Sequence, residues 1–363
     1  MSPISTSKLF QPIVHGGVKL QHRVVMAPLT RMRSNERSEP TPLVKEYYEQ
    51  RASAPGTLLI SEGTCIAPQG AGLKGIAGIY TDGQVAAWKQ VVDAVHAKGS
   101  FMYLQIAALG AVADSETLAA AGHPYVGAGD LPIEGRTVRP RPLTVDEIHE
   151  YEGLFATAAR RAVEEAGFDG VELHMCHGSL LDQFLQTNQN NRTDEYGGSE
   201  ANRVRFPLAA IDAVVAAIGA QKTGVRLSPW SRAQGMRMPD PIPTYVELVT
   251  RLRKTHPDLA HLHVVEPRIL GLDTREPEPG EQNDFIRAIW APGRYITAAG
   301  YTRESGIRAA DETDELICYG RYFIANPDLV RRLKENAPLN QGNRATYYSG
   351  GAAGYTDYPF LSA

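Results

Sequence analysis

Two histidines three residues apart, His174 and His177, close the apolar run GVELHMC that begins at Gly170, and Ser179 follows at the turn into Leu180-Leu181. Side chains alternate along a strand, so Glu172 and His174 share one face while Val171 and Leu173 share the other. With the apolar pair packed under helices, His174 points inward at the strand's end. If the chain then turns as a helix, His177 returns to the same side. Four readings compete. The rings are buried structural groups. They ligate a metal, which needs further ligands that no HExxH or cysteine pair supplies. They act as general acid and base near neutral pH. Or they form a pair of N–H donors for a substrate oxygen, stabilising the enolate that arises when a nucleophile adds at a β-carbon.

Other residues at strand ends favour the last reading. In FMYLQIA, Tyr103, Gln105 and Ala107 share a face, and an inward glutamine amide can pair with the C=O and N–H of a flat heterocycle. Arg226 in GVRLSPW is an inward cation, poor as core and useful beside an anion or electron-rich ring. Ala299-Gly300 and Gly320-Arg321 end the last two apolar runs. In (β/α)8 barrels those are the phosphate-binding slots, where glycine backbone N–H groups and a planar guanidinium suit an anion.

The elements that must position these groups read as eight short runs alternating with helical patterns. The runs begin at Val24, Thr57, Phe101, Gly170, Gly224, Leu259, Arg294 and Leu316. Helical patterns cover Thr41–Ser53, Asp82–Lys98, Thr144–Ala166, Glu200–Ile218, Pro243–Lys254 and Pro327–Asn336. Thr144 with Glu147 forms a capping box, and Gly167 suits the helix end. The expected fold is α/β, a (β/α)8 TIM barrel forming one domain over residues 1–363. A hairpin at Gly16-Gly17 would close the floor, and a long irregular loop over Ala108–Pro142 would follow strand 3 on the catalytic face. A doubly wound sheet is the runner-up, but no GxGxxG follows the first strand.

The net charge of −4 gives no electrostatic reason to expect nucleic acid or an anionic membrane as partner. No apolar run approaches bilayer-spanning length. The three cysteines, Cys65, Cys176 and Cys318, are far apart and odd in number, which reads as reduced thiols. With no signal-peptide pattern, a cytoplasmic monomer or homodimer is expected.

Over nearly its whole length the chain resembles the old yellow enzymes. The motifs are VVMAPLTRMRS from Val24, LISEGT from Leu59, RTDEYGGSEANRVRF from Arg192, GVRLSPW, YGRYFIANPDLVRRL from Tyr319 and GYTDYPFL from Gly354. The resemblance implies a barrel with non-covalent FMN, reduced by NADPH or NADH, that acts on the activated C=C bond of a small-molecule α,β-unsaturated carbonyl. It implies that Pro28, Leu29 and Thr30 line the flavin, and that Gly63 makes a backbone contact. Gln105 would grip the pyrimidine edge, Arg226 would lie near N1, and Ala299, Gly300, Gly320 and Arg321 would hold the phosphate. It makes His174 and His177 the clamp on the substrate oxygen, with no metal.

Three positions depart from the family pattern. Ser179 replaces a proton-donating tyrosine, leaving water, a Ser179 relay, or Tyr347 or Tyr348 as proton source. Ala107 replaces a common tryptophan, which should enlarge the pocket. Ala299 replaces a glycine, a mild change. The expected activity is reduction of a bulky, biosynthetic enone. The alternatives are a flavin-containing isomerase or cyclase without net reduction, and a non-catalytic ligand-binding barrel.

Overall fold

A computed structural model describes residues 6–270 and 273–362. Eight parallel strands close on themselves: β1 (Val24–Met26), β2 (Leu58–Ile60), β3 (Phe101–Ala107), β4 (Gly170–Met175), β5 (Thr223–Leu227), β6 (His261–Val265), β7 (Tyr295–Ala298) and β8 (Leu316–Tyr319). Each pairs with its neighbour in sequence, and β8 pairs with β1. Seven fall within the runs read from the sequence, and β5 begins one residue before its run, at Thr223. The principal helices outside are α1 (Pro42–Arg51), α2 (Asp82–Ala97), α3 (Val145–Arg160), α4 (Arg205–Ile218), α5 (Ile242–Thr255), α6 (Asp284–Trp290), α7 (Arg303–Thr313) and α8 (Leu329–Glu335).

Local chemistry sets several boundaries. Both halves of the Thr144–Glu147 capping box form at the start of α3. That helix runs on through a wider turn over Arg161–Glu165, and Gly167 follows at φ +85°. The pattern over Glu200–Ile218 is broken at Val204, so a single turn (Glu200–Arg203) precedes α4. The stretch after β3 is more ordered than its composition suggests. It holds a helix at Ser115–Ala120, capped by Asp114, and the paired segments Val126–Gly127 and Arg141–Pro142. The floor hairpin forms as expected, Ile13–His15 against Val18–Leu20. Its turn glycines sit at φ +54° and +82°, a conformation costly for side-chain-bearing residues.

The barrel interior is divided. Inward residues of β1, β2, β7 and β8 are apolar (Val25, Leu58, Ile60, Ile296, Leu316, Cys318) and pack on Ile13 and Leu20 of the hairpin. Inward positions of β3 to β6 carry the polar Gln105, Glu172, His174, Arg226, His261 and His263, above Tyr103, which joins the apolar cluster. The site's chemistry therefore sits on one arc of the wall.

Three buried arginines fasten the far end of the chain. Arg51 is 1% exposed and gives its guanidinium to the carbonyls of Phe323, Ile324, Tyr355 and Tyr47, over the Tyr47 ring. Arg31 and Arg33, in the loop after β1, donate to the carbonyls of Thr346, Tyr347, Gly351 and Gly354.

Outside the barrel wall, His22 shows how burial is made tolerable for a histidine. Its Nδ1 accepts from Val24 N–H at 3.2 Å, and its Nε2 faces the Thr57 hydroxyl at 3.0 Å, while that hydroxyl donates to Ala54 O at 2.6 Å. The ring is neutral, and burial pushes its pKa down to about 4. The unfolded chain then binds the proton more readily between about pH 4 and 6.5, so stability falls as pH drops through that window. Comparing His22→Gln with the parent, urea unfolding from pH 7 to 5 should show the parent losing about 2 kcal/mol more. Equal losses would mean that His22 does not carry this proton linkage.

Candidate active site

The polar arc is built in two layers by strand register. In the lower, Gln105, Glu172, Gly224 and His261 stand side by side. Glu172 is fully buried and takes three hydrogen bonds: Gln105 Nε2 at 2.7 Å, His261 Nε2 at 3.0 Å and His263 Nδ1 at 2.7 Å. Gly224 makes this possible, because a Cβ there would lie 2.1 Å from His261 Nε2. His261 Nδ1 meets His15 Nε2 of the floor hairpin at 3.3 Å, so the chain of contacts reaches the barrel bottom. Burial alone would raise the Glu172 carboxyl, but His263 and His261 outweigh it and hold it well below the usual range. The carboxylate is ionised, with three donors aimed at it.

In the upper layer His174, Arg226 and His263 are adjacent by register. Burial first, then the Arg226 charge, pushes His174 down to about 3 and His177 well below its ordinary value. Both rings keep part of their surface open to the barrel mouth, so screening there moderates the shift; the neutral imidazole is the form at pH 7. The two rings lie 6.5 Å apart, tilted by 47°. His177 sits at φ +54°, its N–H bonded to Ser228 Oγ at 3.0 Å, which swings its ring back beside His174.

The remaining expected residues distribute as follows. Pro28, Leu29 and Thr30 are half-buried at the end of β1, and a Cβ at Gly320 would lie 3.4 Å from Leu29 Cδ2, so the loops after β1 and β8 meet. Gly63 faces Gln105 Oε1, the acceptor end left over from the Glu172 bond. Gly300, at φ +68°, and Ala299 are half-buried at the end of β7, and Arg321 opens the short helix after β8. Ala299 sits at φ +95°, where a side chain is strained, so its replacement of glycine is less mild than the sequence suggested.

Three expectations meet different geometry. Ser179 is 3% exposed and its hydroxyl donates to His174 O at 2.6 Å, so its proton is held by the backbone and not aimed at a substrate. Ala107 is 1% exposed: Ile66 N–H bonds its carbonyl, Thr64–Cys65 pairs alongside, and no free surface opens there. Tyr347 lies beside Arg31 and Arg321, toward the expected phosphate end, and Tyr348 is 50% exposed. Among the described residues no hydrogen bond or ring contact joins either tyrosine to His174 or His177. Nor do the described residues include a group of three or more His, Cys, Asp or Glu able to hold a metal ion.

This mouth suits a flavin. Among the described residues, the buried Arg226 Nε donor and His263 Nε2 acceptor, on neighbouring strands, have no partner. Gln105 keeps an acceptor free for an N–H. Gly300 follows β7, and Gly320 and Arg321 follow β8.

Residues 8–340 match the NADH:flavin oxidoreductase / NADH oxidase family. The chain belongs to that family. It is an FMN-dependent oxidoreductase using NAD(P)H as hydride donor. An Old Yellow Enzyme from Pichia sp. AKU4542 superposes with a TM-score of 0.91 at 35% identity, covering 99% of this chain and 95% of that one. Chanoclavine-I aldehyde reductase fgaOx3 of Penicillium roqueforti is 44% identical over 98% of this chain and 96% of its own length. Similar in extent, at 42% identity over 98% and 96%, is a "probable inactive dehydrogenase easA" of Claviceps fusiformis. The relatives thus include proteins described as reductases and proteins described as inactive. The family's fold brings Gln105, Arg226, His174 and His177 to one mouth. No helix among the described residues is long and apolar enough to cross a membrane.

Proposed function

We propose that the chain reduces the C=C bond of a bulky α,β-unsaturated aldehyde or ketone, with His174 and His177 holding the carbonyl oxygen. The observation that carries this reading is the pair of imidazole rings 6.5 Å apart, with His174 beside Arg226 by register, at the open end of the barrel. FMN, when bound and reduced by NAD(P)H, supplies the hydride that reaches the β-carbon. Pro28, Leu29, Thr30, Gly63 and Gln105 would hold its ring, Arg226 its N1 side, and Ala299, Gly300, Gly320 and Arg321 its phosphate. Two N–H donors on the substrate oxygen stabilise the enolate charge better than they stabilise the ground-state carbonyl, which is how they lower the barrier.

A second reading rests on Ser179. With its proton committed to His174 O, no side chain named here delivers a proton to the α-carbon, and the enolate persists until water reaches it. If the hydride goes back from the β-carbon to the flavin after rotation about the former double bond, the substrate leaves as an isomer, free to close a ring, without net reduction. Anaerobic mixing of the flavin-loaded protein with NADPH, followed by cyclohexenone, separates the two. Bleaching and then recovery of the flavin colour supports reduction. Bleaching without recovery, with turnover of a larger enone and no net NADPH consumption, supports isomerisation or cyclisation. A protein that takes up no FMN sinks both.

A further inference from the structure

A neutral imidazole carries a single N–H, so each ring of the clamp helps a substrate oxygen only if the proton is on the nitrogen facing it. The nitrogen facing away decides this through its own partner. His177 Nδ1 lies 2.8 Å from Ser231 Oγ. Ser231 Oγ also accepts the Ala233 N–H at 3.3 Å, which occupies one of its two lone pairs while its own proton stays available to donate to His177 Nδ1. His174 Nδ1 lies 3.4 Å from Cys176 Sγ. The thiol is wholly buried, and burial pushes its pKa up to about 12, so it carries its proton at any working pH. Sulfur is a weak acceptor and an imidazole nitrogen a good one, so the bond runs from S–H to Nδ1.

We propose that Cys176 and Ser231 are positioning residues that fix both clamp rings in the Nε2–H form, so that two N–H donors face the substrate oxygen. The two devices are independent. Cys176 belongs to the strand end that carries His174, whereas Ser231 reaches His177 from the loop after β5, 54 residues away. The opposite arrangement, His174 Nδ1–H bonded to sulfur, would turn a lone pair toward the carbonyl and repel it. This inference rests on the clamp reading above, but its main test needs neither substrate nor turnover.

In FMN-loaded protein with ¹⁵N-labelled histidine, two-bond ¹H–¹⁵N spectra distinguish a protonated from a bare ring nitrogen. His174→Gln and His177→Gln assign the two rings. Both should show Nε2–H and bare Nδ1. Cys176→Ala should give a tautomer mixture at His174 alone, Ser231→Ala at His177 alone, and Cys176→Ser should restore the parent pattern at His174. If cyclohexenone is turned over, equal mixing at one ring halves the competent population and raises KM about twofold with kcat little changed. An Nδ1–H on either ring of the parent overturns the proposal. So does a His174 pattern unchanged by Cys176→Ala. A correct tautomer pattern without enone turnover would leave this inference standing and remove the reductase reading instead.

Discussion

Replacing Ser179 by tyrosine should speed cyclohexenone reduction by on the order of 10²-fold or more, the usual contribution of a positioned general acid. The reason is the commitment of the native hydroxyl to His174 O, which leaves α-carbon protonation to solvent. The substitution also removes that hydrogen bond, at a cost of about 1 kcal/mol, and puts a larger ring at a position only 3% exposed, which adds about 1–3 kcal/mol of overpacking. The effect belongs in the second half of the reaction: NADPH-driven bleaching should keep its rate, and recovery of colour on adding enone should accelerate. If recovery stays at the parent rate, a proton already reaches the α-carbon by another route, and the isomerase reading loses its support.

Glu172→Leu should cost about 3–5 kcal/mol of stability, read from urea unfolding, because it strands buried donors on Gln105, His261 and His263 at once. The loss should spread upward. Gln105 would lose the bond that aims its Oε1 at Gly63, so flavin affinity should fall as well. Glu172→Gln is the control, since it keeps the shape and removes the charge. If both variants unfold like the parent, the carboxylate does not organise the arc.

Most of the barrel could be read from alternation and length. The strands carrying Gln105, His174 and Arg226 are apolar runs bounded by turn residues, and their inward positions follow from a period of two. The same rule applied to His261 and His263, two apart in β6, would have placed both inside. A histidine in an apolar strand is also an ordinary core residue, so residue type and spacing alone do not mark them as part of the site. Helices α6 and α7 left a fainter trace. The first is seven residues long, and the second is polar around most of its circumference, burying only Gly306 and Ala310. What no local pattern shows is where a hydroxyl proton goes. That Ser179 serves His174 O, or that Ser231 serves His177, depends on loop paths set by tertiary packing. Ala107 teaches the same lesson in reverse: a small residue marks a roomy pocket only if the surrounding chain leaves the space open, and here it does not.

The arginine fastening of the C-terminal segment bears on when the enzyme can acquire its cofactor. Tyr347, whose carbonyl steadies both Arg31 and Arg33, follows Arg31 by 316 residues, so Pro28–Thr30 leave the ribosome long before it. A chain paused during synthesis short of residue 344 has the loop proposed to face the flavin but none of the C-terminal carbonyls that Arg31 and Arg33 hold. Flavin loading should therefore be a late event in biogenesis, and colour acquired by stalled nascent chains would contradict that order.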